Sequence, residues 1–167
     1  ALAHADFLLK LDEAYFAAWA GHAVVAVAGQ SDELGRRVEK LRRAYAPACA
    51  LLASQSPTLV HNDLACKNVL ADRSSTPARI CIIDWELAGV GCGLLDLVHL
   101  KYGLETDAEQ QMLSTYRSAL LPCELLPRGE VEFARVLAAC ELHKTLYRLA
   151  HSPRWKLPAG TISNWVD

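Results

Sequence analysis

The sequence predicts an α+β domain that is mainly α-helical, with one short β-hairpin between two helical stretches. Three observations predict it. Apolar side chains recur at helical spacing before residue 55 and again after residue 93. Between those stretches, NVL at 68–70 and the β-branched run RICII at 79–83 flank a polar turn, DRSSTPA at 72–78. The chain has 167 residues, 52% of them hydrophobic and 22% charged, which suits a single domain over 1–167 with a sizeable core.

The elements follow in order. Residues 2–20 are rich in Ala, Leu, Phe and Trp and are expected to be mostly helical. Gly21 and Gly29 bracket a short apolar connection. Ser31 reads as an N-cap, with Asp32 and Glu33 in the favourable first turn. From there Leu34, Val38, Leu41, Tyr45, Ala48 and Leu52 form one helix face. Arg36, Arg37, Lys40, Arg42 and Arg43 form the opposite, solvated face, and Pro47 kinks or splits the helix. Pro57 ends the helical section. TLV at 58–60 and NVL at 68–70 are short β-like pieces on either side of the loop HNDLACK. RICII, β-branched and apolar after Arg79, is expected to be a buried strand.

Helices resume with LLDLVHLKYG at 94–103, closed by Gly103. Asp107 with Gln110 resembles a capping box that opens a helix over 108–120. Val131, Ala134, Ala138, Leu142, Leu146 and Leu149 mark the apolar face of a helix over 130–150. The tail SPRWKLPAGTISNWVD, with two prolines and two tryptophans, is expected to be irregular and packed onto the body.

Net charge is −2, so no bulk electrostatic attraction to nucleic acid or to an anionic membrane is expected. Apolar runs such as VVAVAG fall far short of the roughly 20 residues that a membrane-spanning helix needs. The opening ALAHADFLLK has no basic region leading an apolar run and does not read as a signal peptide. It also lacks an initiator Met, so the chain is expected to begin inside a longer one. Six cysteines form no CxxC pair, and Cys49, Cys81 and Cys140 lie in apolar surroundings that suit core residues. Reduced thiols in a cytoplasmic protein are the simplest account.

Two segments carry chemistry: HNDLACKNVL at 61–70 and ICIIDWELAG at 80–89. Asp63 and Asn68 lie five apart on one loop, so both can turn into one cleft. A hairpin would bring Asp84, at the end of the following strand, to the same place. Two carboxylates and an amide on adjacent loops suit a hard cation. Phosphoryl transfer from ATP needs little more: one carboxylate to orient the attacking hydroxyl, and oxygen ligands to hold magnesium against the phosphates. His61, two residues before Asp63, can brace the loop.

The pattern His61-x-Asp63-x4-Asn68 followed by Ile83-Asp84-Trp85-Glu86 resembles the aminoglycoside phosphotransferase and choline kinase families, relatives of the protein kinases. The resemblance implies a kinase-like large C-terminal lobe with a short catalytic β-hairpin. It also implies an ATP- and Mg2+-dependent transfer of the γ-phosphate to a hydroxyl of a small molecule. By resemblance Asp63 is the catalytic base and His61 belongs to the same catalytic loop. Asn68 and Asp84 are the magnesium ligands, Glu86 supports the metal, and Asp96 is structural. Lys67 either touches a phosphate of the nucleotide or is simply solvated.

The chain departs from the family pattern at several places. Asn62 stands where many aminoglycoside enzymes have Gly, which resembles the choline and ethanolamine kinase side of the group. Lys67 also replaces a common Gly, and CGLLDL lacks the frequent Asp-Pro pair. Choline, ethanolamine or thiamine are therefore alternative acceptors, and a non-catalytic binding domain of the same fold is the alternative outside the enzymes. A cationic acceptor follows from the family, with Glu130, Glu132 and Glu141, or Trp85, Trp155 and Trp165, as residues that would meet it or serve only surface and packing roles. No Gly-rich loop between strands and no strand lysine is found, so the nucleotide-clamping N-terminal lobe is expected elsewhere in a longer chain. The Asp-Trp-Glu triplet and the absence of an Arg after His61 argue against a protein kinase.

Overall fold

The computed structural model describes residues 6–123, 125–127, 129–155 and 161–166. It is mainly helical with small sheets. The chain forms two compact units: the chain up to Lys10 together with Gln55–Phe133, and Leu11–Ser54 together with the chain from Ala134 onward.

The first unit holds both sheets. Strand β2 (Pro57–Val60) pairs antiparallel with β5 (Gly89–Cys92), and the two-residue β1 (Leu9–Lys10) pairs parallel with β5 on its other side. The register sets Val60 opposite Gly89, so the chain leaves β2 beside the point where it enters β5. Between them, β3 (Val69–Asp72) and β4 (Arg79–Ile82) form an antiparallel hairpin with Val69 opposite Ile82. Helix α4 (Leu94–Leu100) follows β5 and buries Leu94, Leu95, Leu97 and Val98; α5 (Thr106–Leu120) follows it.

The second unit is helical. Asp12 caps α1 (Glu13–Ala28) by accepting from the Tyr15 amide at 2.9 Å. Ser31 caps α2 (Asp32–Ala44) through the Leu34 amide at 3.4 Å. Helix α3 (Ala46–Ala53) starts directly afterwards with Pro47 in its first turn, where a missing amide costs nothing, so Pro47 splits the helix as expected. Phe16, Val27, Val38, Tyr45 and Leu52 supply its core, with Val136, Leu146 and Leu149 from α6 (Glu130–His151). Helices α1 and α2 approach closely: a Cβ on Gly35 would stand 2.9 Å from the Ala28 Cα and Cβ. Burial pushes the Tyr45 hydroxyl pKa up, and that hydroxyl lies 3.1 Å from His143 Nδ1. The basic face of α2 is solvated, and hydrogen bonds from Arg42 and then Arg43 hold the Glu39 carboxyl at about 2. On so exposed a face this network adds little stability.

Several expectations are corrected. The segment between Gly21 and Gly29 is helix, because flanking apolar residues outweigh the cost of one glycine, about 1 kcal/mol. RICII forms a strand but not a buried one: β4 belongs to a two-stranded ribbon, and Ile80 is 56% exposed. Cys81, on that strand, is likewise exposed. Helix α5 begins at Thr106, so Asp107 lies inside its first turn. On α6 the expected face holds only from Leu146 onward, for Val131 is 84% exposed while Phe133, Val136, Cys140, His143 and Lys144 are buried. Lys144 is accommodated with its ammonium 5.4 Å from the Tyr147 ring centre. The tail is partly helical, with α7 over Thr161–Val166, while the expectation for 156–160 lies outside the described residues.

All six cysteines are free thiols. Cys66, Cys81 and Cys123 are exposed, whereas Cys49, Cys92 and Cys140 are buried, and burial raises the pKa of Cys49. Brief treatment of the native protein with iodoacetamide should alkylate the first three and spare the others until unfolding. Peptide mass spectrometry reads this directly; early labelling of Cys140 would contradict the packing of α6.

Candidate active site

The loop after β2 is shaped by one carboxylate. Asp96, in the first turn of α4, accepts the backbone amide of His61 on one oxygen and that of Asn62 on the other, each at 2.8 Å. The chain turns through Asn62 at φ 67°, a left-handed conformation that Asn tolerates better than most side chains. His61 is almost fully buried. The Asp63 amide donates to His61 Nδ1 at 3.3 Å, so that nitrogen carries no proton. Nε2 then carries it and donates to the Ile83 carbonyl at 2.8 Å. The Trp85 ring lies against the imidazole, 4.7 Å between centres, and its own N–H donates to the Ile82 carbonyl. His61 thus braces the loop itself through Nδ1 and joins it to the end of β4 through Nε2.

A 3-10 turn over Cys66–Asn68 folds the loop back onto Asp63. The buried Asn68 amide donates from Nδ2 to the Asp63 carbonyl at 2.8 Å and to its Oδ2 at 3.3 Å. Lys67 Nζ stands 3.2 Å from the same Oδ2, on a side chain 67% exposed. The other oxygen, Oδ1, faces His99 Nδ1 at 3.4 Å. His99 escaped the reading of the sequence. The available signal was its place on α4 three residues after Asp96, a spacing that puts both side chains on one helix face.

The amide of Ile83 donates to the Asn68 carbonyl at 3.0 Å and extends the β3–β4 ladder by one bond. Asp84 follows immediately, at φ 68° and ψ 54°, and opens a 3-10 turn over Trp85–Leu87. Asp84 and Glu86 are both exposed. The structure therefore brings His61, Asp63, Lys67 and Asn68 into direct contact and ties Asp84 to the same loop through its backbone neighbour. Glu86 lies in the exposed turn beyond.

Among the described residues no group of three or more His, Cys, Asp and Glu side chains forms a metal cage. Magnesium does not need one, since it keeps several waters and takes one or two carboxylates together with substrate phosphates. Asn68 points its NH2 at Asp63, which leaves the amide oxygen on its far side for a cation. Asp84 adds an exposed carboxylate, so the donors present are hard oxygens and fit that ion.

Among the described residues no helix is long and apolar enough to cross a membrane. A search of curated proteins finds no match to this chain. A family model does match, over residues 2–130, which include every residue of the site described above. By that match over most of its length, the chain belongs to the phosphotransferase enzyme family APH.

Proposed function

We propose that this chain is the catalytic and acceptor-binding lobe of a small-molecule kinase, which transfers the γ-phosphate of Mg·ATP to a hydroxyl. The observation that carries the reading is the Asp63 carboxylate, part-exposed yet held by Asn68, Lys67 and His99 on a loop bonded to the residue before Asp84. Asp63 orients the acceptor hydroxyl and takes its proton as the new O–P bond forms and ADP departs. Lys67 shields the Asp63 charge from the incoming phosphates. Asn68 Oδ1 and the Asp84 carboxylate would hold magnesium, with Glu86 in support. When bound, the ion supplies charge neutralisation at the transferring phosphoryl group. An N-terminal lobe of the same longer chain would clamp the nucleotide, and a cytoplasmic setting would provide it.

The acceptor belongs to the aminoglycoside class on this reading. Asn62, a side chain at a left-handed position where many aminoglycoside enzymes have Gly, favours choline, ethanolamine or thiamine as the second choice. The test is ADP release by the full-length protein with Mg·ATP and a panel of these acceptors. Stimulation by one of them names the class; no nucleotide binding at all would favour a non-catalytic role. Asp84→Ala should weaken Mg-dependent nucleotide binding by at least about tenfold, the scale of losing a charged ligand. Calorimetry with and without Mg2+ reads this, and unchanged affinity would move the metal elsewhere.

A further inference from the structure

The two oxygens of Asp63 have unlike surroundings. Oδ2 meets two donors, Asn68 Nδ2 at 3.3 Å and Lys67 Nζ at 3.2 Å. Among the described residues Oδ1 meets one neighbour, His99 Nδ1 at 3.4 Å. A carboxylate oxygen offers about two lone-pair sites. Oδ2 is therefore filled, and Oδ1 keeps one site open.

The geometry points to His99 as the positioning residue of the transfer reaction, which holds Oδ1 and so presents its remaining lone pair to the acceptor hydroxyl. This rests on Asp63 being the base. A carboxylate turns freely about its Cβ–Cγ bond unless both oxygens are held. On the Oδ2 side, Asn68 is a buried side chain at 3.3 Å, while Lys67 is a long, largely solvated side chain that holds little. Rotation is fixed only by a rigid partner at Oδ1. His99 is that partner: its side chain is 10% exposed, and it sits on a helix anchored by the buried Leu95, Leu97 and Val98.

The same helix carries Asp96, which holds the His61 and Asn62 amides. One short helix thus sets both the backbone of the loop, through Asp96, and the rotation of its carboxylate, through His99. His99 takes no proton in the step. The hydroxyl O–H bond breaks toward Oδ1, the oxygen bonds to the γ-phosphorus, and the bond from that phosphorus to ADP breaks.

Two substitutions in the full-length protein test this. His99→Phe keeps the ring and removes both nitrogens. It should lower kcat about 10- to 100-fold, the scale of a misplaced catalytic group, with KM for the nucleotide unchanged. His99→Asn restores an N–H near the Nδ1 position and should recover most of kcat. Parent-like kcat in the Phe variant, or equal losses in both variants with lowered thermal midpoints, overturns the role. A second readout needs no turnover: at one fixed pH, the 15N signal of His99 Nδ1 should differ between the parent and Asp63→Asn. An unmoved signal overturns the contact. Full turnover in Asp63→Ala removes the base itself, and this inference with it, whereas loss confined to Asp63→Ala leaves the kinase reading standing and rejects His99 alone.

Discussion

Asp63→Ala is expected to lower turnover by about 10²- to 10⁴-fold, the range that a positioned general base contributes, and to leave the thermal midpoint nearly unchanged. The second half follows from what the carboxylate touches. Its removal releases Lys67 to solvent, where most of that side chain already lies. Asn68 keeps its shorter bond to the Asp63 carbonyl at 2.8 Å. His99 loses a contact at 3.4 Å, longer than a strong hydrogen bond. His99, 10% exposed, is the one nearly buried side chain among these to lose a contact, and that contact is long, so the stability cost should be roughly 1 kcal/mol. ADP release and a melting curve on one preparation read both quantities. A variant that melts like its parent and still turns over near-normally would dismiss Asp63 as the base.

Asp96→Ala should do the reverse, with stability falling first. Its two oxygens each take a backbone amide, from His61 and Asn62, at positions 1% and 2% exposed. Truncation leaves both donors in a site with little water, and each stranded group costs about 1–3 kcal/mol. The expected loss is about 2–5 kcal/mol, large against the 5–15 kcal/mol that holds a typical domain. Asp96→Asn is no remedy, because its NH2 would face one of the two amide N–H groups. Urea denaturation gives the loss, and the amide resonances of His61 and Asn62 should shift most. A loss under about 1 kcal/mol would mean that the loop holds itself without this carboxylate.

The contacts of the candidate site were legible in the sequence where they are local. Asp63, Lys67 and Asn68 touch one another within six residues of chain, so residue types and spacing carried the information. His99 reaches Asp63 from 36 residues away, a distance set by the placement of α4 that no spacing within the loop encodes. Asp96 was recognised only through the family pattern, and its bonds to two amides emerge in the structure. For the fold, helices α2 and α3 were legible because Ser31 and Pro47 have specific end chemistry. Strands β1 and β5 were not: one has two residues, and the other reads GVGC, in which a single strand-favouring Val90 stands between two glycines. In RICII the β-branched side chains indicate extended backbone, but not whether anything covers it. The face of α6 was misjudged because His143 and Lys144 are buried, against the ordinary preference of such residues.

The bond from the Ile83 amide to the Asn68 carbonyl makes the β3–β4 hairpin a closed ring with its clasp at the base. Asn68 and Asp84 are 16 residues apart along the chain, yet their separation is governed by the clasp and not by what hangs beyond it. Residues 73–78 at the far end are exposed and reverse the direction of the chain. Chain length there is a free variable, since lengthening a surface loop costs about 0.6 kcal/mol per doubling. The tip is consequently the port through which an affinity tag, a fluorophore or a tether can be grafted, while Asn68 and Asp84 at the other end keep their spacing.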